Sequence, residues 1–122
     1  MKLTLHLLSL VCLASTLAFA TNLSGVLVDS GCFASMVGNV SHDAGHTGTD
    51  RGRAVRYCAP KASSKSFAVV QHDGSTVALE PAANPKVLEF LQKAGAKNTY
   101  KVHVAGNMSG DVLKVDTIDG SK

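Results

Sequence analysis

The sequence has no Trp, two Tyr and four Phe, contains only 3 Pro among 122 residues, and is 17% charged. The composition excludes collagen-like, coiled-coil and disordered chains, because none of their biases is present and 45% of the residues are apolar. A net charge of +3 also argues against a dedicated nucleic-acid binder, which normally carries a strongly basic face. What remains is one ordinary small globular domain.

The first twenty residues have the pattern of a secretory signal peptide. Lys2 gives a positive start, an almost unbroken apolar run extends from Leu3 to Leu17, and Ala18-Phe19-Ala20 has the small-x-small pattern of a cleavage site. A membrane anchor is the alternative, but the run is shorter than the ~20 residues that a bilayer requires, and no basic stop follows it. We therefore predict cleavage after residue 20, a single domain over residues 21–122, no transmembrane segment after cleavage, and a secreted or periplasmic location.

Two cysteines remain after this cleavage, Cys32 and Cys58. In an exported chain an even pair of thiols is typically oxidised, which predicts a Cys32–Cys58 disulfide. A pair of metal-binding thiolates and two free buried cysteines are the alternatives, and the absence of CxxC spacing weakens the zinc interpretation.

The remaining pattern predicts five short strands and one secure helix. A strand is expected at residues 23–29, and Asp73-Gly74 between two β-prone runs predicts a hairpin with a type I′ turn. Asn84 as the N-cap and Pro85 at the first helical position predict a helix that ends at Gly95. A second hairpin follows at residues 100–116. The side chains expected to point into the core are Val26, Val69, Val77, Leu88, Leu91, Val104 and Val115.

This order predicts a mainly β fold, a small five-stranded OB-like barrel with one helix between strands 3 and 4 and a long loop after strand 1. Another small α+β arrangement with a five-stranded sheet is the alternative. Between residues 33 and 65 the composition is typical of a loop, and residues 51–59 form the one patch expected to be helical, begun by Thr49 or Asp50 and ended by Pro60.

That loop contains both candidate binding sites. The basic cluster Arg51, Arg53, Arg56 with Tyr57 predicts a surface for an anionic polymer or an envelope glycan, since the first loop of OB-folds often contacts an extended ligand. A simple solvated face is the alternative. His42 and His46, with Met36 as a soft third ligand, predict a Cu or Zn site, although the glycines around them favour an ordinary flexible loop.

Three segments resemble a family of small exported bacterial proteins known as DUF5818, a domain of unknown function. These segments are Ser24 to Cys32, Tyr57 to Lys61, and the closing hairpin from Tyr100 to Ile118. The chain departs from the family pattern at Met36, where a His is expected, and at Ala62, where a Cys is expected. The resemblance implies no established activity.

Nucleophilic catalysis has little support in the sequence. No G-x-S-x-G motif is present, and a Cys32 engaged in a disulfide would not react as a nucleophile. We therefore predict a protein that is not an enzyme and has no obligatory cofactor, a cell-envelope binding or structural module for a glycan or protein partner and not for nucleic acid. The alternative function is a periplasmic Cu- or Zn-binding protein.

Overall fold

A computed structural model of the chain describes residues 20–40 and 48–121. The elements in chain order are β1 (Ala20–Asp29), α1 (Ser30–Val40), α2 (Gly48–Tyr57), β2 (Phe67–Gln71), β3 (Thr76–Leu79), a 3-10 turn (Pro81–Ala83), α3 (Asn84–Ala94), β4 (Tyr100–Ser109) and β5 (Val112–Gly120). The fold is mainly β, and the prediction of five strands is confirmed.

The five strands form one sheet in the order β1-β2-β3-β5-β4. All neighbouring strands are antiparallel except β3 and β5, which are parallel and joined by two residue pairs, Ala78 with Val112 and Leu79 with Leu113. Since β4 also pairs with β1 along eight positions, the ring of strands closes. The predicted helix between strands 3 and 4 is present as α3.

The interior of this ring holds the main core. Leu27, Val102, Val104 and Leu113 are fully buried there, and α3 covers one end with Val87 and Leu91. Alternation along β4 explains the burial pattern, because every second residue from Tyr100 to Val104 points inward.

A second cluster lies outside the ring, between the sheet and the first two helices. It contains Val28, Phe33, Val55, Cys58 and Val70, with Val26 partly buried against it. Strand β2 is consequently buried on both faces, which is why its sequence is a continuous apolar run instead of an alternating one. The prediction that Val26 points into the main core is wrong, since its neighbour Leu27 occupies that place.

The predicted long loop after strand 1 is replaced in large part by two helices. Residues 30–40 form α1, although its glycine and polar residues suggested a loop. The missed signal is the spacing of Phe33, Met36 and Val37, which recur at helical intervals and face the second cluster. The helical patch predicted at residues 51–59 is present in part: α2 includes residues 51–57 and ends at Tyr57, two residues earlier than predicted.

Two local predictions need correction. Gln71 N–H donates to the Ser75 carbonyl (2.8 Å) and Gly74 N–H to the Gln71 carbonyl (2.9 Å). Since no described non-glycine residue has a positive φ and Gly74 has φ 90°, the hairpin has a three-residue loop with glycine at its left-handed position, not a type I′ turn. Asn84 does not cap α3; its side-chain amide donates to the Lys65 carbonyl at 2.9 Å.

Candidate functional site

A groove on the outer surface of β1 is the candidate binding site that brings a member of the predicted basic cluster, Arg56, together with basic side chains from other segments. Its volume is about 460 Å³, and it lies between α2, the end of β2 and the start of β4. Such a volume is within the ~300–1,000 Å³ range of small-molecule sites. The groove forms because α2 packs on the second cluster through Ala54 and Val55. The helix therefore lies beside the sheet and bounds one side of the groove.

Three basic side chains line this groove: Arg56 from α2, His72 from the β2–β3 loop and Lys101 from β4. All three are exposed. Among the described residues that line the groove no Asp or Glu occurs. Arg56 and Lys101 carry positive charges at neutral pH, and the His72 imidazole adds a hydrogen-bonding group. The three side chains come from segments that are far apart in the sequence.

The acidic residue nearest in sequence to His72 is engaged elsewhere. The Asp73 carboxylate accepts hydrogen bonds from the Ser75 hydroxyl (2.6 Å) and from the Ser75 N–H (2.9 Å). These bonds, the hydroxyl first, lower the pKa of Asp73 below its ordinary value, with a smaller contribution from the charge of His72. The carboxylate thus belongs to the turn, and the residue does not line the groove.

The predicted basic cluster is divided by the structure. Arg56 lines the groove, whereas Arg53 and Tyr57 are exposed on α2 outside its lining. Tyr57 is 76% exposed. Arg51 belongs to α2, but its side chain lies outside the described part of the chain. Sequence reasoning missed His72 and Lys101, because only the closed sheet brings the β2–β3 loop and β4 to the same side of β1.

The surface beside the groove is also polar. The Oγ of Ser24, a lining residue, lies 2.7 Å from Nδ1 of His103 on β4. Both residues are exposed, and Asp119 is the Cα partner of His103 on β5. The pair therefore extends a polar surface across three strands.

The predicted cysteine pair is confirmed, with its sulfur atoms 2.02 Å apart. Cys58 is buried in the second cluster, and its Sγ lies 3.5 Å from Sδ of Met36. The link joins the first turn of α1 to the segment that follows α2. The disulfide thereby ties the end of α2, the helix that carries Arg56, to the start of α1, which directly follows β1.

The described residues do not provide a set of ligands for the predicted metal site. His42 and His46 lie outside them, and Met36 packs beside Cys58 in the second cluster. Within residues 20–40 and 48–121 no group of three His, Cys, Asp or Glu side chains is placed to bind a metal ion. A Cu or Zn site at the two histidines stays a prediction.

Residues 1–20, predicted as a signal peptide, lie outside the described residues except for Ala20, which begins β1. Across the described part of the chain, no helix has the length and apolar character needed to span a membrane.

Comparisons with models of protein families, with curated proteins and with solved structures give no match. Membership in the DUF5818 family therefore stays a prediction.

Proposed function

We propose that the protein is a non-enzymatic, exported binding module of the cell envelope, built on an OB-like barrel, and that it binds an anionic ligand in the groove beside α2. The observation that carries the proposal is the convergence of Arg56, His72 and Lys101 on one groove whose described lining contains no carboxylate. Converging cations attract and orient an anionic partner.

The assignment to an OB-like barrel is supported by the strand order and by the place of α3. A five-stranded Greek-key ring with a helix between strands 3 and 4 is typical of that fold. OB-folds bind extended ligands on an outer strand face flanked by loops, and here α2 and the β2–β3 loop flank the face of β1. Export is supported by the signal-like sequence and by the bonded cysteines, which are typical of oxidising compartments.

The proposal is tested by fluorescence anisotropy of the purified protein with a short fluorescent polyanion, polyphosphate or oligogalacturonate, at low salt and pH 7.5. We expect saturable binding that weakens by about tenfold or more in the double variant Arg56→Gln, Lys101→Gln, because each substitution removes a charged hydrogen-bond donor. The matched control is Lys65→Gln, Lys114→Gln, which removes the same charge from exposed positions outside the groove lining.

The control should weaken binding much less than the groove variant, because it removes the same net charge but no hydrogen-bond donor at the groove. Equal losses in both double variants would mean that only net charge attracts the polyanion, and would contradict a site in the groove. If neither polyphosphate nor oligogalacturonate binds saturably, the proposal is overturned.

A further inference from the structure

We infer that the ligand of this groove is an acidic polysaccharide whose charges are carboxylates. The inference rests on the proposed function and identifies the class of ligand. It comes from the aliphatic part of the lining, which we call the floor and which consists of Val26 of β1, Val55 of α2 and Val70 of β2. Val55 and Val70 are buried in the second cluster and Val26 is half-buried, so Val26 offers most of the exposed side-chain surface of the floor. A cationic rim around an aliphatic floor matches a ligand that is apolar on one face and charged at its edge.

A sugar ring has this character. The C–H groups of a pyranose face can cover the floor, chiefly Val26, and remove its exposed apolar surface from water, which is favourable in proportion to the apolar area buried. A carboxylate on the ring edge then meets Arg56 or Lys101 at the rim. A polyphosphate, in contrast, would satisfy the cations but would leave the aliphatic floor uncovered or cover it with charge.

The remaining lining residues are suited to sugar hydroxyls. Ser24, Gln71, Thr99 and Ser121 surround the floor and offer both donors and acceptors. Polar groups of this kind fix the orientation of a ligand that the floor and the rim attract.

An acidic peptide is disfavoured by the position of the groove in the sheet. Extended peptides commonly bind by adding a strand to a free sheet edge. Gly25 and Val26 of β1, which line the groove, are paired with β2 on one side and with β4 on the other. Their backbone is therefore engaged within the sheet, and a ligand over them binds mainly through side chains, as polysaccharides can.

A single-stranded nucleic acid is disfavoured by the absence of a stacking platform. Bases bind single-strand sites by stacking on aromatic side chains. The described lining of the groove contains no Phe or Tyr, and Tyr57 lies outside it. The flat, non-aromatic floor is thus better matched to a saturated ring.

The test compares three fluorescent probes with the full protein at equal ionic strength: oligogalacturonate, the same oligosaccharide with its carboxyls methyl-esterified, and polyphosphate of matched charge. We expect oligogalacturonate to bind about tenfold or more tightly than either of the others, because only this probe engages both the rim and the floor. The variant Val26→Thr, which keeps the β-branched shape but adds a hydroxyl to the floor, should weaken oligogalacturonate several-fold. It should leave polyphosphate unchanged, and a thermal melt confirms that the variant is folded.

The outcomes separate the two proposals. Polyphosphate binding as tightly as oligogalacturonate, or equal binding of the esterified probe, would overturn the polysaccharide inference. In the first case the groove would still be an anion site, provided that Arg56→Gln, Lys101→Gln weakens it. No binding of any probe would overturn both.

Discussion

The backbone N–H of Asp29 donates a hydrogen bond of 2.9 Å to the carbonyl oxygen of Cys58. The carboxylate of the same Asp29 accepts from the N–H of Cys32 (3.1 Å) and from the hydroxyl of Ser64 (2.7 Å). One residue at the end of β1 therefore binds both the start of α1 and the segment after α2. The Cys32–Cys58 bond makes the same connection covalently.

We predict that protein isolated from an oxidising compartment contains no thiol that alkylates without reduction, and that reduction lowers its free energy of unfolding by about 3 kcal/mol. The linked residues are 26 apart, and a closed loop of this length restricts the unfolded chain by about that amount. Intact-mass measurement with and without reductant tests the first part, and urea unfolding of Cys32→Ser, Cys58→Ser tests the second. Two thiols that alkylate in the unreduced protein would contradict the prediction.

Gly106→Ala is predicted to destabilise the protein by about 2 kcal/mol or more. A Cβ at this position would overlap the carbonyl oxygen of Lys114, where the β4–β5 register shifts. The matched control is Gly52→Ala, because a Cβ there meets nothing within 4 Å and the residue is inside α2. The control should raise stability by up to ~1 kcal/mol. Thermal melts that rank the two variants in the opposite order would refute this account of Gly106.

Leu91→Ala is predicted to lower the free energy of unfolding by about 2–5 kcal/mol, the ordinary effect of truncating a buried leucine. Leu91 is in the main core, whereas Arg53 is exposed on α2. Arg53→Ala, the control, should change stability by less than ~0.5 kcal/mol. If Arg53→Ala melted as low as Leu91→Ala, the division between a core and a tolerant helix surface would be wrong.

Ser75→Ala is predicted to raise the pKa of Asp73 towards its ordinary value of 3.8, because the Ser75 hydroxyl is the largest cause of its lowering. Since the folded-state pKa is lowered, the stabilisation by this group is present above pH 3.8 and is lost as the pH falls through the folded-state pKa. Carboxyl NMR titration measures the shift. Glu89, whose pKa is lowered by Lys93, should titrate unchanged in the variant. An Asp73 titration identical to that of the unsubstituted protein would exclude the proposed cause.

The five strands and α3 were predictable because each carries a complete local signal. Their apolar residues recur at strand or helix spacing or, in β2, form a continuous run, and Gly74, Gly95 and Gly110 mark turns between them. Helix α1 was missed because its apolar stripe is short and mixed with glycine and polar residues. Its stability depends on Asp29 at its start and on the sheet surface that Phe33 covers, and both contacts are tertiary.

The groove was only partly predictable for the same reason. Arg56 was identified because it stands in a local cluster of arginines. His72 and Lys101 are isolated in sequence, and they meet Arg56 only when β1 lies between β2 and β4. Likewise, nothing in the sequence of β1 alone shows that Val26 faces α2 while Leu27 faces the interior, because both are apolar.

The pairing of β1 with β4 also determines when the protein can fold. Ser24 and His103, which are hydrogen-bonded across these strands, are 79 residues apart. Contacts so distant in sequence form slowly, and β1 keeps an open edge until its partner arrives. During synthesis the ring of strands cannot close before β4 (Tyr100–Ser109) has emerged from the ribosome. Until then Val102 and Val104 are missing from the interior, so the main core is completed only when most of the chain has been made.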